Sequence, residues 1–241
     1  MSETPPARST IVTGGASGIG LAVVDDLRRR GHAVTVFDLT PHPDADVPTE
    51  TVDVTDESAV SQAVDAVMAR QGRVNGLVAS HGIRGRFVPA MEMTLDDVRR
   101  QFDIHVLGAF VVAREIVRRL DGEPASLVLI SSTTAYGGWS HQVDYGLAKA
   151  AVRQLTQNLA IEWAPMGVRV NAVAPGHTRT PMVEDLIANG YDIRETEKRM
   201  PLGRLAQPSE MAVTIAHLLD EATFVTGQCV AVDGGWTTVG R

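Results

Sequence analysis

The stretch Thr10-Ile11-Val12-Thr13-Gly14-Gly15-Ala16-Ser17-Gly18-Ile19-Gly20 passes from an apolar, β-branched run through clustered glycines into a segment with helical spacing. The run reads as a buried strand. Ile19–Arg30 reads as the helix that follows, with Gly31 stopping it. Between them, glycines let the backbone turn tightly and approach a pyrophosphate, whose charge sits at the positive end of the helix. A glycine-rich turn by itself marks only a bend. Placed directly after a strand and directly before a helix, it marks a phosphate-binding turn at the head of an α/β fold.

Outward from this turn, short Val/Ile-rich runs alternate with amphipathic ones. Thr10–Val12, Ala33–Phe37, Thr51–Val54, Gly76–Ala79, Leu127–Ser131, Val168–Val173 and Cys229–Val232 read as strands covered on both faces. Ile19–Arg30, Glu57–Gln71, Leu95–Leu120, Asp144–Ala164 and Ser209–Leu219 read as helices, the second capped by Asp56. This alternation specifies a single Rossmann-type doubly wound parallel sheet of about seven strands with helices on both faces. Residues 1–7 read as a flexible tail and 8–241 as one dinucleotide-binding and catalytic domain, since no Pro/Gly-rich linker divides them.

Composition excludes other classes. The 241 residues are 44% hydrophobic and 21% charged, too apolar for a disordered chain. No run reaches the roughly 18 apolar residues of a membrane span, and MSETPPARST has no signal core, so the reading is a cytoplasmic protein without a membrane partner. A net charge of -7 without a basic stripe argues against nucleic acid. Cys229 is the one cysteine, and His81, His141 and His177 lack ligand-like companions, so no metal site is expected. Of 22 basic residues only Lys149 and Lys198 are lysine, which marks each of them for attention.

The second strand leads to Asp38, 18 residues past Gly20. A carboxylate there accepts both hydroxyls of an adenosine ribose and repels a 2′-phosphate, which points to NAD rather than NADP. A solvated strand-end aspartate is the alternative. Asp53-Val54, at the end of the third predicted strand, is positioned to meet an adenine ring.

In Tyr145-Gly146-Leu147-Ala148-Lys149, tyrosine and lysine share one helix face. Bringing a phenol from about 10 into the neutral range needs roughly 4 kcal/mol of differential stabilisation, which a neighbouring ammonium and a cationic nicotinamide would supply. Ser132 ends the fifth predicted strand, 13 residues before Tyr145, so both hydroxyls can meet over one substrate oxygen.

Taken jointly, Thr13-Gly-x-x-x-Gly18-x-Gly20, Asp38, Asp53-Val54, Ser132, Tyr145-x-x-x-Lys149, Asn171-Ala-Val-Ala-Pro175-Gly176 and Asp233-Gly234-Gly235 resemble the short-chain dehydrogenase/reductase (SDR) family over about residues 8–236. The resemblance implies strand order 3-2-1-4-5-6-7 and an enzyme that transfers hydride between NAD and a secondary alcohol or ketone. It implies Ser132, Tyr145 and Lys149 as catalytic residues, with Lys149 also on the nicotinamide ribose. The cofactor site it implies comprises Gly14, Ser17, Gly18, Ile19, Gly20, Asp38, Leu39, Asp53, Val54, Ala79, Ser80, Gly82, Tyr145, Lys149, Pro175, Gly176, Thr178 and Thr180. It further implies a substrate lid over about 182–200 and a homotetramer built on the long helices around 95–120 and 144–164. An NADH-dependent ketoreductase of lipid or polyketide metabolism and a non-catalytic NAD-sensing module are the rival readings.

Two positions depart from the family pattern. Ala79-Ser80-His81-Gly82 replaces an Asn-Asn-Ala-Gly-like turn, and His105 stands where the family carries an asparagine that supports a proton relay. With an ordinary pKa near 6.5, His105 qualifies either as a relay member or as a structural core histidine. Trp139 and His141 read as substrate-pocket residues, Arg84 and Arg86 as solvated loop arginines, and Met68, Met91 and Met93 as packing. The chain has a faint likeness to dehydrogenases of cyclic hydroxy or dihydrodiol substrates.

Overall fold

A computed structural model describes residues 8–239, so the expected tail at 1–7 lies outside the described residues. In chain order the elements are β1 (Ser9–Thr13), α1 (Gly18–Arg29), β2 (Ala33–Asp38), β3 (Thr49–Thr51), α2 (Glu57–Gln71), β4 (Gly76–Ala79), α3 (Leu95–Phe102), α4 (Ala109–Val117), β5 (Ala125–Ile130), α5 (Val143–Trp163), β6 (Val168–Pro175), α6 (Pro181–Ala188), α7 (Ile193–Arg199), α8 (Pro208–Asp220) and β7 (Cys229–Val232). The strands form one parallel sheet in the order β3-β2-β1-β4-β5-β6-β7. The order reverses between β1 and β4, which opens a crevice at the carboxyl ends of these strands.

The central residues of the buried strands are apolar on both faces because those faces enter different cores. Ile11, Phe37, Leu77 and Leu127 pack on one side with residues of α2, α4 and α5. Val12, Val36, Val78 and Val128 pack on the other with Leu27 of α1 and Ile215 of α8. Asp56 caps α2 by accepting from the Ala59 N–H at 3.0 Å.

Three expectations need correction. The third strand is Thr49–Thr51, paired only with β2, whereas Val52 and Val54 are buried beyond it. Their apolar character reports packing, not strand pairing. The helix expected over Leu95–Leu120 runs without a gap from Leu95 to Val117, but α3 passes into α4 through a π turn at Asp103–Gly108. An inserted residue of this kind leaves the hydrophobic period almost unchanged, and such turns gather at functional sites. Met91, expected in packing, is 96% exposed.

Candidate active site

A cavity of about 1120 Å³ lies at the carboxyl ends of the strands. Its first wall is the glycine turn. Gly14 and Gly18 have φ of +66° and +55°, and a Cβ on Gly14 would stand 2.6 Å from His81 Cα. A Cβ on Gly20 would stand 2.1 Å from the Gly14 carbonyl oxygen, so only glycine lets α1 start this close to the turn. Ser17 and Ile19 line the same wall. A glycine cradle opening onto a helix N-terminus fits the pyrophosphate of a dinucleotide.

Asp38, at the end of β2, joins that cradle. Its Oδ2 accepts the Ala16 N–H at 3.0 Å, and its Oδ1 accepts the Thr40 N–H at 3.1 Å. Leu39, Asp53 and Val54 continue the cavity wall. Asp53 accepts the N–H and hydroxyl of Thr55 at 2.9 and 2.7 Å, and these bonds hold its carboxyl below the usual range.

Ser80 and Gly82 line the cavity, but Ala79 does not; its side chain is buried in the core beneath α2 and α4. The departure at His81 has a structural account. His81 Nε2 lies 2.9 Å from Ile104 O and therefore carries the ring proton, while Nδ1 accepts from the Thr13 hydroxyl. The imidazole thus ties the end of β1 to the π turn, and burial pushes it down to about 4.

On the other side, Ser132, Tyr145 and Lys149 converge. Ser132 caps a short turn by accepting the Thr134 N–H at 3.2 Å, and its hydroxyl lies near enough to that of Tyr145 to favour the phenolate. Lys149 Nζ donates to Ile130 O at 2.8 Å, while Ser131 Oγ donates to Lys149 O at 2.9 Å. The two bonds lace the Lys149 face of α5 to the end of β5. Lys149 Nζ is 5.6 Å from the Tyr145 ring centroid.

The electrostatics of this pair differ from expectation. Burial pushes Tyr145 up to about 12, with the Ser132 hydroxyl opposing it, and pushes Lys149 down to about 7. The protein alone therefore favours the neutral phenol and disfavours the ammonium. The charge of an oxidised nicotinamide is the contribution that would reverse this for the phenol.

His105 projects from the π turn into the cavity wall and meets the Tyr145 ring edge-on, centroids 5.5 Å apart. Its Nε2 lies 3.0 Å from Ile83 O and 3.3 Å from Ile83 N. Burial and the nearby Lys149 push it down to about 2, so it does not titrate near 6.5.

Pro175, Gly176, Thr178 and Thr180 complete the wall. A Cβ on Gly176 would stand 2.7 Å from Asp233 Cα, which accounts for the glycine. Thr178 Oγ1 donates to Gly176 O at 3.1 Å, and Thr180 Oγ1 caps α6 by accepting the Val183 N–H at 3.4 Å. Asn171 lies away from the cavity and holds the loop before β7, donating to Val225 O at 2.8 Å. Trp139 packs between His177 and Trp236, with centroids 5.2 Å from each, and His141 meets Phe87. Arg84 and Arg86 are ion-paired to Asp185 and Asp97 at 2.8 and 2.9 Å. Lys198 pairs with Glu195 on the exposed side of α7. Sequence reading overlooked Gln101 and Asp144, polar residues 3% and 1% exposed that abut this site. A polar residue inside a helical pattern gives no sign of its burial.

A glycine cradle with an acid behind it, facing a Ser–Tyr–Lys constellation, defines a nicotinamide-dependent alcohol/ketone oxidoreductase. A sequence model described as Enoyl-(Acyl carrier protein) reductase matches residues 14–237, and the chain belongs to the short-chain dehydrogenase/reductase family. It is 38% identical over 253 residues to the cis-4-hydroxycyclohexanecarboxylate dehydrogenase of Sinomonas cyclohexanicum, covering 99% of this chain and 100% of that one. It is 33% identical over 244 residues to the 2,5-dichloro-2,5-cyclohexadiene-1,4-diol dehydrogenase of Sphingobium indicum, covering 96% and 98%. The solved structure of ElxO with NADP bound superposes with a TM-score of 0.91 at 25% identity, covering 97% of this chain and 100% of that one.

Proposed function

We propose that this enzyme oxidises a secondary alcohol on a six-membered ring to the ketone, using NAD in preference to NADP. One observation carries the chemistry: Ser132, Tyr145 and Lys149 line the same cavity as Asp38 and the glycine turn. Bound NAD supplies hydride exchange at the nicotinamide C4. Ser132 holds the substrate oxygen, and Tyr145 exchanges its proton. Lys149 contributes positive charge beside the phenol and a donor for the nicotinamide ribose. The cofactor is held by the Gly14–Gly20 turn, by Asp38 on the adenosine ribose, by Asp53-Val54 at the adenine, and by Ser80, Gly82 and Pro175–Thr180 toward the nicotinamide.

The Asp38 carboxylate is the basis for preferring NAD, since a 2′-phosphate beside it would meet a like charge. The ring substrate rests on the two relatives whose names specify cyclohexane or cyclohexadiene alcohols. The segment 182–200, carrying α6 and α7, serves as the lid on a single-domain body 8–241. Leu147 and Ile161 leave large apolar side chains exposed along α5, which supports the packing of this helix against another copy in a homotetramer.

The test is NADH or NADPH formation from cyclic, open-chain and aromatic secondary alcohols, with β-keto and enoyl thioesters assayed in the reductive direction. Ring alcohols with NAD should lead. Faster thioester reduction would favour a ketoreductase or enoyl reductase. NAD binding without any turnover would favour a sensing module.

A further inference from the structure

The segment 83–86 has no regular secondary structure, yet three buried side chains from behind hold its backbone. His105 of the π turn lies 3.0 Å from Ile83 O. Gln101 of α3 donates from Nε2 to Arg84 O at 3.0 Å. Asp144 of α5 accepts the Arg86 N–H at 2.9 Å and the N–H of Tyr145 itself at 2.7 Å.

The fit is close as well as polar. A Cβ on Gly82 would stand 2.4 Å from His105 Cε1, and one on Gly85 would stand 2.8 Å from Asp144 Oδ1. Ile83 faces the cavity beside Tyr145, while Arg84 reaches outward to Asp185 of α6. The partners found for the buried Asp144 carboxylate are backbone N–H groups, one on this segment and one on the catalytic tyrosine. Burying a carboxylate is costly, and here the bonds that offset the cost join the cavity wall to the reacting residue.

We propose that Asp144 and Gln101, with His105, are positioning residues for the substrate: they set the 83–86 wall against Tyr145, so that a ring alcohol entering between this wall and α6 presents its hydroxyl to Ser132 and Tyr145. This rests on Tyr145 as the proton-exchanging group. A wall held at three successive points keeps one shape, and a rigid ring that matches it arrives oriented. An open-chain alcohol gains less, because it adjusts to a displaced wall. Gln101 and Asp144 hold Arg84 and Arg86, beyond Gly82 and on other elements than the glycine turn and Asp38, so their loss bears on the alcohol more than on the dinucleotide.

The experiment compares wild type with Gln101→Leu, Asp144→Asn and Asp144→Ala in steady-state kinetics with a ring and an open-chain secondary alcohol, and in NAD binding by fluorescence. KM for the ring alcohol should rise about tenfold in Gln101→Leu and Asp144→Ala, with a smaller fall in kcat. The preference for ring over open-chain alcohol should narrow, and NAD affinity should stay within about twofold. Asp144→Asn, which keeps an acceptor oxygen, should lose less than Asp144→Ala. Should Asp144→Ala fail to fold, Gln101→Leu, which removes one bond to Arg84, decides the matter. Unchanged KM and ring preference in an active Gln101→Leu would overturn the proposal, as would a loss of NAD affinity in step with KM. A wild type that turns over no alcohol would overturn the reading of Tyr145 itself, a distinguishable failure.

Discussion

The backbone N–H of Ala16 donates to Asp38 Oδ2 at 3.0 Å, joining the glycine turn to the end of β2 through a carboxylate. The acid proposed to read the adenosine ribose is thereby also part of the turn's own hydrogen bonding.

Asp38→Ser should therefore shift cofactor choice. The ratio of kcat/KM for NAD over NADP should fall by about tenfold or more, because a like charge no longer faces the 2′-phosphate. Part of the change should appear as weaker NAD binding, since Ala16 loses its acceptor. Initial rates with both cofactors measure it, and an unchanged ratio would sink the role assigned to Asp38.

Tyr145→Phe should lower kcat by about 10² to 10⁴ while the dinucleotide still binds. The pH dependence follows from burial, which pushes the phenol up to about 12. Alcohol oxidation needs the phenolate, so its kcat/KM should climb from neutral into alkaline pH. Ketone reduction uses the phenol and should show no such climb. Initial rates in both directions across this range test the assignment.

Lys149→Met should abolish most turnover and raise the stability of the protein without cofactor. Burial drives Lys149 down to about 7, so its charged form is penalised in the fold. The unfolded chain takes up a proton that the fold resists between its ordinary value of 10.5 and about 7, so this group costs stability increasingly as pH falls through that window. The gain in Tm should be at least about 2 °C at pH 7 and shrink toward pH 10. Calorimetry at both pH values measures it.

Three histidines set the acid limit. His81 and His177 are driven down to about 4 and His105 to about 2, in each case chiefly by burial. Neutral in the fold and protonated in the unfolded chain below 6.5, they contribute stability that is present above 6.5 and lost as pH falls, on the order of 1 to 3 kcal/mol each by pH 4. Tm should fall steeply below pH 6. His105→Asn should leave the pH profile of turnover unshifted between 5 and 8, since no proton enters or leaves His105 there. A step near 6.5 that vanishes in this variant would restore His105 as a titrating relay group.

The glycine turn and the Val/Ile strands were readable because their signals are local. A strand covered on both faces carries a run of apolar residues, and the start of α1 against the turn admits only glycine at position 20. Seven alternating units then leave little choice of topology. The π turn at Asp103–Gly108 was not readable, since one extra residue barely disturbs a 3.6-residue period. The edge strand Thr49–Thr51 was displaced in the reading because buried Val52 and Val54 imitate a strand. Ser132, Tyr145 and Lys149 were legible from their spacing and the resemblance, but Gln101 and Asp144 were not.

The amino-acid sequence by itself determined the doubly wound fold, the glycine turn and the Ser132, Tyr145 and Lys149 side chains proposed to react, because each rests on residue type at short spacing. The tertiary structure alone decided how those side chains are charged. Burial depends on everything packed around a group. It turns an ordinary tyrosine into one at about 12, a lysine into one at about 7, and the histidine at 105 into one pushed down to about 2.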